Sequence, residues 1–280
     1  CEFDHYLLAR CDARKRLGEP LVSLRREGER WIANDAISAR LLVGAGGHFC
    51  PVARHLLPGG APPEPIVAAQ EIEYELPAPA QAACDVVPEL PELYFAEDCR
   101  GYAWVVRKGA FVNVGLGRQD PHDLASHVER FVGFLESAGK LPPGPRPRFR
   151  GHAYTLYGQT PRPLVREGAL LVGDAAGLAY PRSGEGIRPA VESGILAGRA
   201  IVAADGDYTE QGLAGYAAAL TARFGRRGDA PRPGPSDLLP ARLRPRLARW
   251  LLGSPWFARH VVLDRWFLHR FDAPLAQATP

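Results

Sequence analysis

Asp174 is the side chain best placed to do chemistry in this sequence. It follows the continuously apolar run Leu170-Leu171-Val172 and then Gly173. Such a run is the pattern of a strand buried on both faces, and parallel α/β sheets place their ligands at the carboxyl ends of their strands. A carboxylate there accepts hydrogen bonds from a sugar or ribityl hydroxyl, and Gly173 lets the backbone approach a ligand. The same Asp also reads as a helix N-cap. After Pro181, Ser183-Gly184-Glu185-Gly186 opens a predicted helix on which Gly186, Ala190, Gly194 and Gly198 recur every four residues, on one face. Glycine inside a helix costs about 1 kcal/mol relative to alanine. The stripe is therefore expected to pack closely against a strand or a flat ligand; plain helix–sheet packing is the alternative. The helix N-terminus carries roughly half a positive charge, which suits the anionic reduced form of a flavin. The order strand, Asp, Gly/Pro-rich loop, helix predicts part of a dinucleotide or flavin site.

The elements that must position these residues follow from periodicity. Phe3–Leu17 predicts a helix stopped by Gly18-Glu19-Pro20. Leu21–Arg26 and Arg30–Ile37 predict two strands joined by Glu27-Gly28-Glu29, and Ala39–Val43 a compact strand running into Gly44-Ala45-Gly46-Gly47. Ile66–Leu76 alternates apolar and polar residues, the period of a half-solvated antiparallel strand. Pro77–Pro91 reads as a loop. Glu92–Ala96, Gly101–Arg107 and Ala110–Gly117 read as strands, the last two joined at Lys108-Gly109. Pro121–Ala138 predicts a helix with Leu124, Val128, Phe131, Phe134 and Leu135 inward, and Pro142–Pro147 an extended linker. Tyr208–Phe224 predicts a further helix, Gly225–Pro240 a break, and Leu243–Phe271 a pair of amphipathic helices. The order is α/β, antiparallel sheet, α/β, helices: an α/β fold class with an α+β insertion. The expected division is a cofactor domain at 1–57 and 156–205, an antiparallel substrate domain at 58–155, and a helical region at 206–280.

Composition excludes other classes. The 280 residues are 46% hydrophobic and 23% charged, ordinary for a folded chain. A net charge of +3 without a basic stripe argues against a nucleic-acid partner, and no run of about 18 apolar residues predicts a membrane span. Cys1, Cys11, Cys50, Cys84 and Cys99 form no C-x-x-C pair and lack zinc-ligand spacing, so no metal site is expected. They read as free thiols of a reducing, cytoplasmic compartment. The chain starts at Cys1 and contains no Met, so an upstream segment is expected.

Gly173-Asp174-Ala175-Ala176-Gly177, Pro181 and Gly184-Glu185-Gly186-Ile187 together resemble the second flavin motif of the FAD-dependent oxidoreductases with the p-hydroxybenzoate hydroxylase fold. Within that group the chain is most similar to the geranylgeranyl reductase family, whose G-E-G-I motif continues into the helix here through Ala190 and Ser193-Gly194. The resemblance implies FAD as cofactor, Asp174 on the ribityl chain, and the Pro181–Ile187 loop along the isoalloxazine. A second match lies in the inserted sheet. Tyr102, Trp104, Gly115 and Gly117 fit the family's Y-x-W-x-F-P and G-x-G, which line its lipid cavity, with Val106 and Arg107 in place of Phe and Pro. They read equally as same-face sheet residues. A third match is partial: Gly44-Ala45-Gly46-Gly47 with Arg54 is similar to the family's G-A-D-G strand end, with Gly46 where the Asp stands, and Phe3-Asp4 with Leu7 resembles its F-D-x-x-L helix.

No G-x-G-x-x-G loop occurs in this sequence. The resemblance puts that loop in a preceding βαβ unit of roughly 30 residues. The expectation is an N-terminally truncated flavoprotein that alone binds FAD poorly and is inactive. The implied activity is reduction of a carbon–carbon double bond in an apolar, prenyl-like substrate, with NADPH or another reductant as donor. A flavin monooxygenase acting on an aromatic or polyketide is the alternative. No catalytic acid is assigned; His152 and Tyr154 read as pocket residues or as structural strand residues. From a different class comes a membrane-surface binding protein. Trp250, Leu251, Leu252, Trp256, Phe257, Trp266 and Phe267, interleaved with Arg249, Arg259, Arg265 and Arg270, would lie on a bilayer. Packing of these helices on the flavin domain is the simpler alternative, and peripheral membrane contact also suits a lipid substrate.

Overall fold

The structure, a computed structural model, describes residues 2–57, 64–227 and 243–275. Cys1 and 228–240 of the expected break lie outside the described residues. In chain order the elements begin with α1 (Glu2–Ala9), β1 (Leu24–Glu27), β2 (Arg30–Ala33), β3 (Ile37–Ala39), β4 (Leu42–Gly44) and α2 (Pro51–His55). Then come β5 (Val67–Glu75), α3 (Ala78–Ala82), β6 (Glu92–Phe95), β7 (Gly101–Lys108), β8 (Phe111–Arg118), α4 (Leu124–Ser137) and β9 (Arg150–Tyr154). The chain continues through β10 (Val165–Arg166), β11 (Ala169–Leu171), a 3-10 turn (Gly173–Ala176), α5 (Ile187–Ala203), α6 (Ala214–Phe224), α7 (Arg244–Leu252) and α8 (Pro255–Phe257). A π-helical segment, Ala258–Phe267, extends α8.

Three sheets organise the fold. β10-β11-β4 is the α/β sheet, and in it β11 and β4 run parallel with Leu171 opposite Gly44. Parallel strands need a long crossover; here it contains the whole five-stranded antiparallel sheet, ordered β6-β7-β8-β5-β9. The third sheet, β1-β2-β3, is a small antiparallel meander. Ala169, Leu170 and Leu171 are fully buried, as their unbroken apolar run requires. They lie in one core with Trp31, Val52, Leu196 and Tyr216. The Tyr216 hydroxyl donates to the Leu171 carbonyl at 2.7 Å, fixing α6 to β11. A second core fills the space between α4 and the antiparallel sheet, with Ile72, Val105, Val112, Val114, Val128 and Leu135.

Several expectations are corrected. Helix α1 ends at Ala9, and 10–23 are irregular and mostly exposed; the charged run Asp12–Arg16 offers no apolar face to bury. The expected strand at Arg30–Ile37 breaks at Asn34 and Asp35, both in left-handed backbone, and restarts as β3. The expected Ala39–Val43 strand is likewise divided between β3 and β4. The Pro77–Pro91 loop contains α3, started by Pro77 and Pro79 in its first turn. Tyr208–Leu213 is turn structure, so α6 starts at Ala214. Phe134 is exposed, and Val132 takes the inward place beside Leu135. The small-residue stripe of α5 also faces outward: a Cβ added at Gly194 or Gly198 would meet no atom within 4 Å. The covered side of α5 is instead Pro189, Glu192, Ser193, Leu196 and Ala197.

The β7–β8 hairpin carries the four sheet residues of interest in register, Tyr102 opposite Gly117 and Trp104 opposite Gly115. The Trp104 indole lies over Gly115, where a Cβ would stand 2.1 Å from the ring, and its Nε1 donates to Asn113 Oδ1 at 2.7 Å. Gly115→Ala is therefore expected to overpack the hairpin and cost about 1–3 kcal/mol. Urea unfolding followed by tryptophan emission checks this; an unchanged midpoint would show that the indole moves freely.

Candidate functional site

Asp174 stands at the carboxyl end of β11, in the 3-10 turn. The N-cap of that turn is Val172 and that of α5 is Gly186, so Asp174 is not a helix N-cap, and its carboxylate has no hydrogen bond among the described residues. Burial raises its pKa; nearby His152 and Arg162 act against that rise and Glu185 adds to it. Oδ1 lies beneath Gly186, the residue before α5, where a Cβ would come within 3.2 Å. The carboxylate and the open end of α5 thus share one concave surface. Glu185 closes the helix start in place of a conventional cap: its Oε1 accepts from the Arg188 N–H at 2.8 Å, while its Oε2 is buried without a partner.

The loop before α5 meets the antiparallel sheet. The Tyr102 hydroxyl donates to the Ser183 carbonyl at 2.6 Å. Gly184 adopts left-handed backbone, and a Cβ there would lie 2.5 Å from the Tyr154 hydroxyl. Tyr102, Gly117, Tyr154, Pro181 and Gly184 line one cavity of about 90 Å³. Burial pushes the Tyr102 hydroxyl up to about 12 and raises that of Tyr154 as well, so both stay protonated donors at neutral pH. His152 is exposed and stacks its ring on Tyr154, with centroids 6.0 Å apart. The C-terminal segment backs these groups: the Phe267 ring lies 5.4 Å from that of Tyr102, and His269 stacks on Tyr180.

The remaining expected positions are distributed unevenly. Gly173 abuts Ala190, and Gly177 abuts Thr160. Ala175 and Ala176 are fully buried in the core, so their side chains can only support the turn. Ile187 is 67% exposed on the outer side of α5. Trp104 and Gly115 pack on each other and do not line the cavity shared by Tyr102 and Gly117.

Sequence reasoning missed a buried ionic network beneath the site. Arg162 Nε and Nη2 donate to the two carboxylate oxygens of Glu64 at 3.0 and 2.8 Å, and both side chains are over nine-tenths buried. Arg162 Nη1 donates to the carbonyls of His48, Asp174 and Ala175. Thr160 Oγ1 donates to Glu64 Oε1 at 2.6 Å. Arg227 donates to the carbonyls of Arg162 and Ala176. One guanidinium thus ties the loop after β4 to the turn after β11. The partners are far apart in sequence, and no spacing marks them; only the Thr160-Pro161-Arg162-Pro163 segment, unusual between two strands, hints at a fixed arginine.

No family model matches the chain. It is 27% identical over 220 residues to digeranylgeranylglycerophospholipid reductase 3 of Methanosphaera stadtmanae, covering 74% of this chain and 53% of that protein. The chain spans about half the length of the curated relatives it matches. In structure it is similar to a geranylgeranyl bacteriochlorophyll reductase-like protein from Thermoplasma acidophilum, with a TM-score of 0.62 and 20% identity over 90% of this chain and 68% of that one. It is also similar to CtdE solved in complex with FAD, with a TM-score of 0.51 and 15% identity over 90% of this chain and 69% of that one. The fold is that of the FAD-dependent oxidoreductases.

Two outcomes follow from the network. Arg162→Met leaves the Glu64 carboxylate buried and alone, which typically costs about 3–5 kcal/mol. Arg162→Met with Glu64→Leu should recover most of that loss in thermal melts; no recovery would mean the pair is not the source. The pH dependence has a definite sign. Burial and the nearby Arg162 lower the pKa of His48 from its ordinary 6.5. For Glu64, burial acts upward, but hydrogen bonds from Arg162 and Thr160 hold it below its ordinary 4.5. The unfolded chain then binds more protons, so stability rises with pH through these windows. Melting temperature should fall as pH drops below 6.5 and again below 4.5. His48→Gln should flatten the first decline, and a wild-type slope in that variant would remove His48 as its cause.

Proposed function

We propose that this chain, a homologue of the digeranylgeranylglycerophospholipid reductases on the fold of the FAD-dependent oxidoreductases, holds the ribityl and ring portion of FAD and serves in reducing a carbon–carbon double bond of an apolar, prenyl-like substrate. The observation that carries this reading is Asp174: a half-buried carboxylate with no hydrogen-bond partner among the described residues, at the carboxyl end of a parallel strand and under the open start of α5. The residues present fit the group. Asp174 is an acceptor suited to ribityl hydroxyls, and Gly184 and Gly186 would present backbone without side chains to a flat ring lying along the α5 loop. The relatives' names and the FAD held by CtdE support the same assignment.

When bound, reduced FAD supplies the hydride. The chain's own residues supply position and exclusion of water. Asp174 would hold the ribityl chain, and the N–H groups at the start of α5 would offer the ring the favourable end of the helix dipole. Tyr102 anchors the Pro181–Gly184 loop through the Ser183 carbonyl and, with Phe267, closes the site to water. Tyr154 and Gly117 form the substrate-side wall. The cavity is below the roughly 300 Å³ at which ligand pockets begin, so the loop moves away from the sheet when a substrate enters.

Peripheral membrane contact belongs to the same proposal. Among the described residues no helix is long and apolar enough to cross a membrane. Trp250 and Trp256 are exposed beside Arg249 and Arg259, whereas Phe257, Trp266 and Phe267 turn inward. That division suits helices resting on a lipid surface while walling the site.

Asp174→Ala is expected to weaken FAD binding at least tenfold, the effect of losing about 1.4 kcal/mol or more from charged hydrogen bonds. Flavin fluorescence quenching measures it, and an unchanged affinity would sink the assignment. Turnover of a prenyl substrate with chemically reduced FAD under anaerobic conditions separates the chemistries: a reductase still converts substrate, while a requirement for oxygen would favour hydroxylation.

A further inference from the structure

The antiparallel sheet has a second concave site, on its α4 side. Between the β6–β7 hairpin tip and α4 lies a cavity of about 700 Å³, far larger than the one facing α5. Helix α4 presents to it His127, Arg130, Phe131 and Phe134, the i, i+3, i+4, i+7 spacing of one helical face. This stripe stands beside the Val128, Val132 and Leu135 face that fills the core. Its C-terminal half is aromatic. Tyr94 lies against Phe131 at 5.3 Å and Phe134 at 5.5 Å, and the two phenylalanines are near-parallel. Phe134 remains 49% exposed, an apolar ring only half covered by the described residues.

The other end of the cavity is cationic. Arg118, at the end of β8, is buried; Nη1 and Nη2 donate to Asp98, and Nε is left without any partner. Arg130 makes no ion pair among the described residues and donates only to His127 Nδ1, at 3.0 Å. Of the nearby carboxylates, Asp98 is engaged by Arg118, Glu97 by Arg249 and Asp120 by Arg100, while Asp123, close enough to act on His127, makes no ion pair among the described residues. The Arg130 guanidinium thus stands without an ion pair among the described residues, beside an orphaned N–H and an imidazole, at the polar end of an aromatic trough. Burial, then Arg118 and Arg130, lower the pKa of His127, so the imidazole is neutral and able to take a proton when an anion arrives.

We propose that this cavity binds an amphipathic anion, its carboxylate or phosphate held by Arg130, Arg118 and His127 and its apolar body lying on Tyr94, Phe131 and Phe134. The paired requirement comes from the two ends. An inorganic anion would leave the aromatic wall uncovered, and a neutral alkane would leave the cation unpaired. The Phe95 and Tyr102 rings, with centroids 5.9 Å apart, belong to the walls of both cavities, so this site borders the one facing α5 without sharing Asp174 or the Gly184 loop. The proposal stands whether or not FAD binds there.

Isothermal titration of the full chain with octyl phosphate, octanoate, octanol and inorganic phosphate tests it. At least one of the two octyl anions should bind saturably at one per chain, at least tenfold tighter than octanol and than inorganic phosphate; comparing octyl phosphate with octanoate identifies the preferred head group. Arg130→Gln, a change at an exposed side chain, should weaken the octyl anion at least fivefold and leave octanol unchanged. Phe134→Ala should weaken it through the tail, and NMR titration should show the His127 pKa rising when the site fills. Equal binding of octanol and the octyl anions, non-saturable uptake only, an unmoved His127, or wild-type affinity in Arg130→Gln would each overturn the assignment.

Discussion

The site depends on one guanidinium. Arg162 lies below the ends of the two parallel strands, β4 and β11, and donates to carbonyls in both of the loops that leave them. A parallel pair fixes strand direction but not the path of the loops beyond it. Those loops carry His48, a member of the clamp, on one side and Asp174 on the other. A buried arginine with a chelating carboxylate, Glu64, removes that freedom. Its planar fork satisfies five acceptors in fixed directions, which a lysine could not do. The cost is burial of two charges, and such pairs are weak sources of net stability. Their use here is geometric: the carboxylate of Asp174 is held unpaired because its own backbone carbonyl is pinned.

That arrangement also explains which parts of the molecule could be read in the sequence. Strand β11 was legible because burial on both faces demands an unbroken apolar run, and Leu170-Leu171-Val172 supplies it. The alternation in Glu71–Leu76 and the Lys108-Gly109 turn placed β5 and the β7–β8 hairpin, since a half-covered sheet imposes period two. Asp174 was legible by position and Gly184–Gly186 by composition. The clamp was not. Glu64, His48 and Arg162 come together only through tertiary structure, and each alone resembles an ordinary surface or linker residue. Helix boundaries failed where periodicity continued without anything to pack on, as at Asp12–Arg16, or where it ran across a turn, as at Tyr208–Leu213. The stripe on α5 failed differently. Four small residues in register were read correctly as one face, but period alone does not say which face the fold covers, and here Leu196 and Ala197 face the core.

The antiparallel sheet divides its two faces by residue size. Toward α5, β7 and β8 place large aromatic rings opposite glycines, Tyr102 with Gly117 and Trp104 with Gly115. Pairing a ring with a glycine keeps the surface flat enough for the α5 loop to approach, and the Tyr102–Ser183 hydrogen bond marks the closest point. Toward α4, the same strands carry Ala103, Val105, Val112 and Val114, which interlock with helix side chains as a conventional core. At the β6–β7 turn this packing opens, where Arg118 ends β8 and is tied to Asp98 instead of an apolar neighbour. The cavity beside α4 is thus a consequence of where the core stops.

The C-terminal segment completes the enclosure by a different kind of contact. It adds no strand to the sheets; it lays single rings and carbonyls on groups already in place. Phe267 meets Tyr102, His269 meets Tyr180, and Arg188 donates to the His269 carbonyl at 3.3 Å. Arg223 joins this side to the core, holding Glu192 on α5 with two hydrogen bonds and the Ala273 carbonyl with a third. Few points of attachment, each at an aromatic edge or a salt link, permit a wall to shift without unfolding either core. The small cavity behind Tyr102 is bounded by the Pro181–Gly184 loop, which this segment backs through Phe267 and His269, while the Arg162 clamp holds the backbone of the turn that carries Asp174.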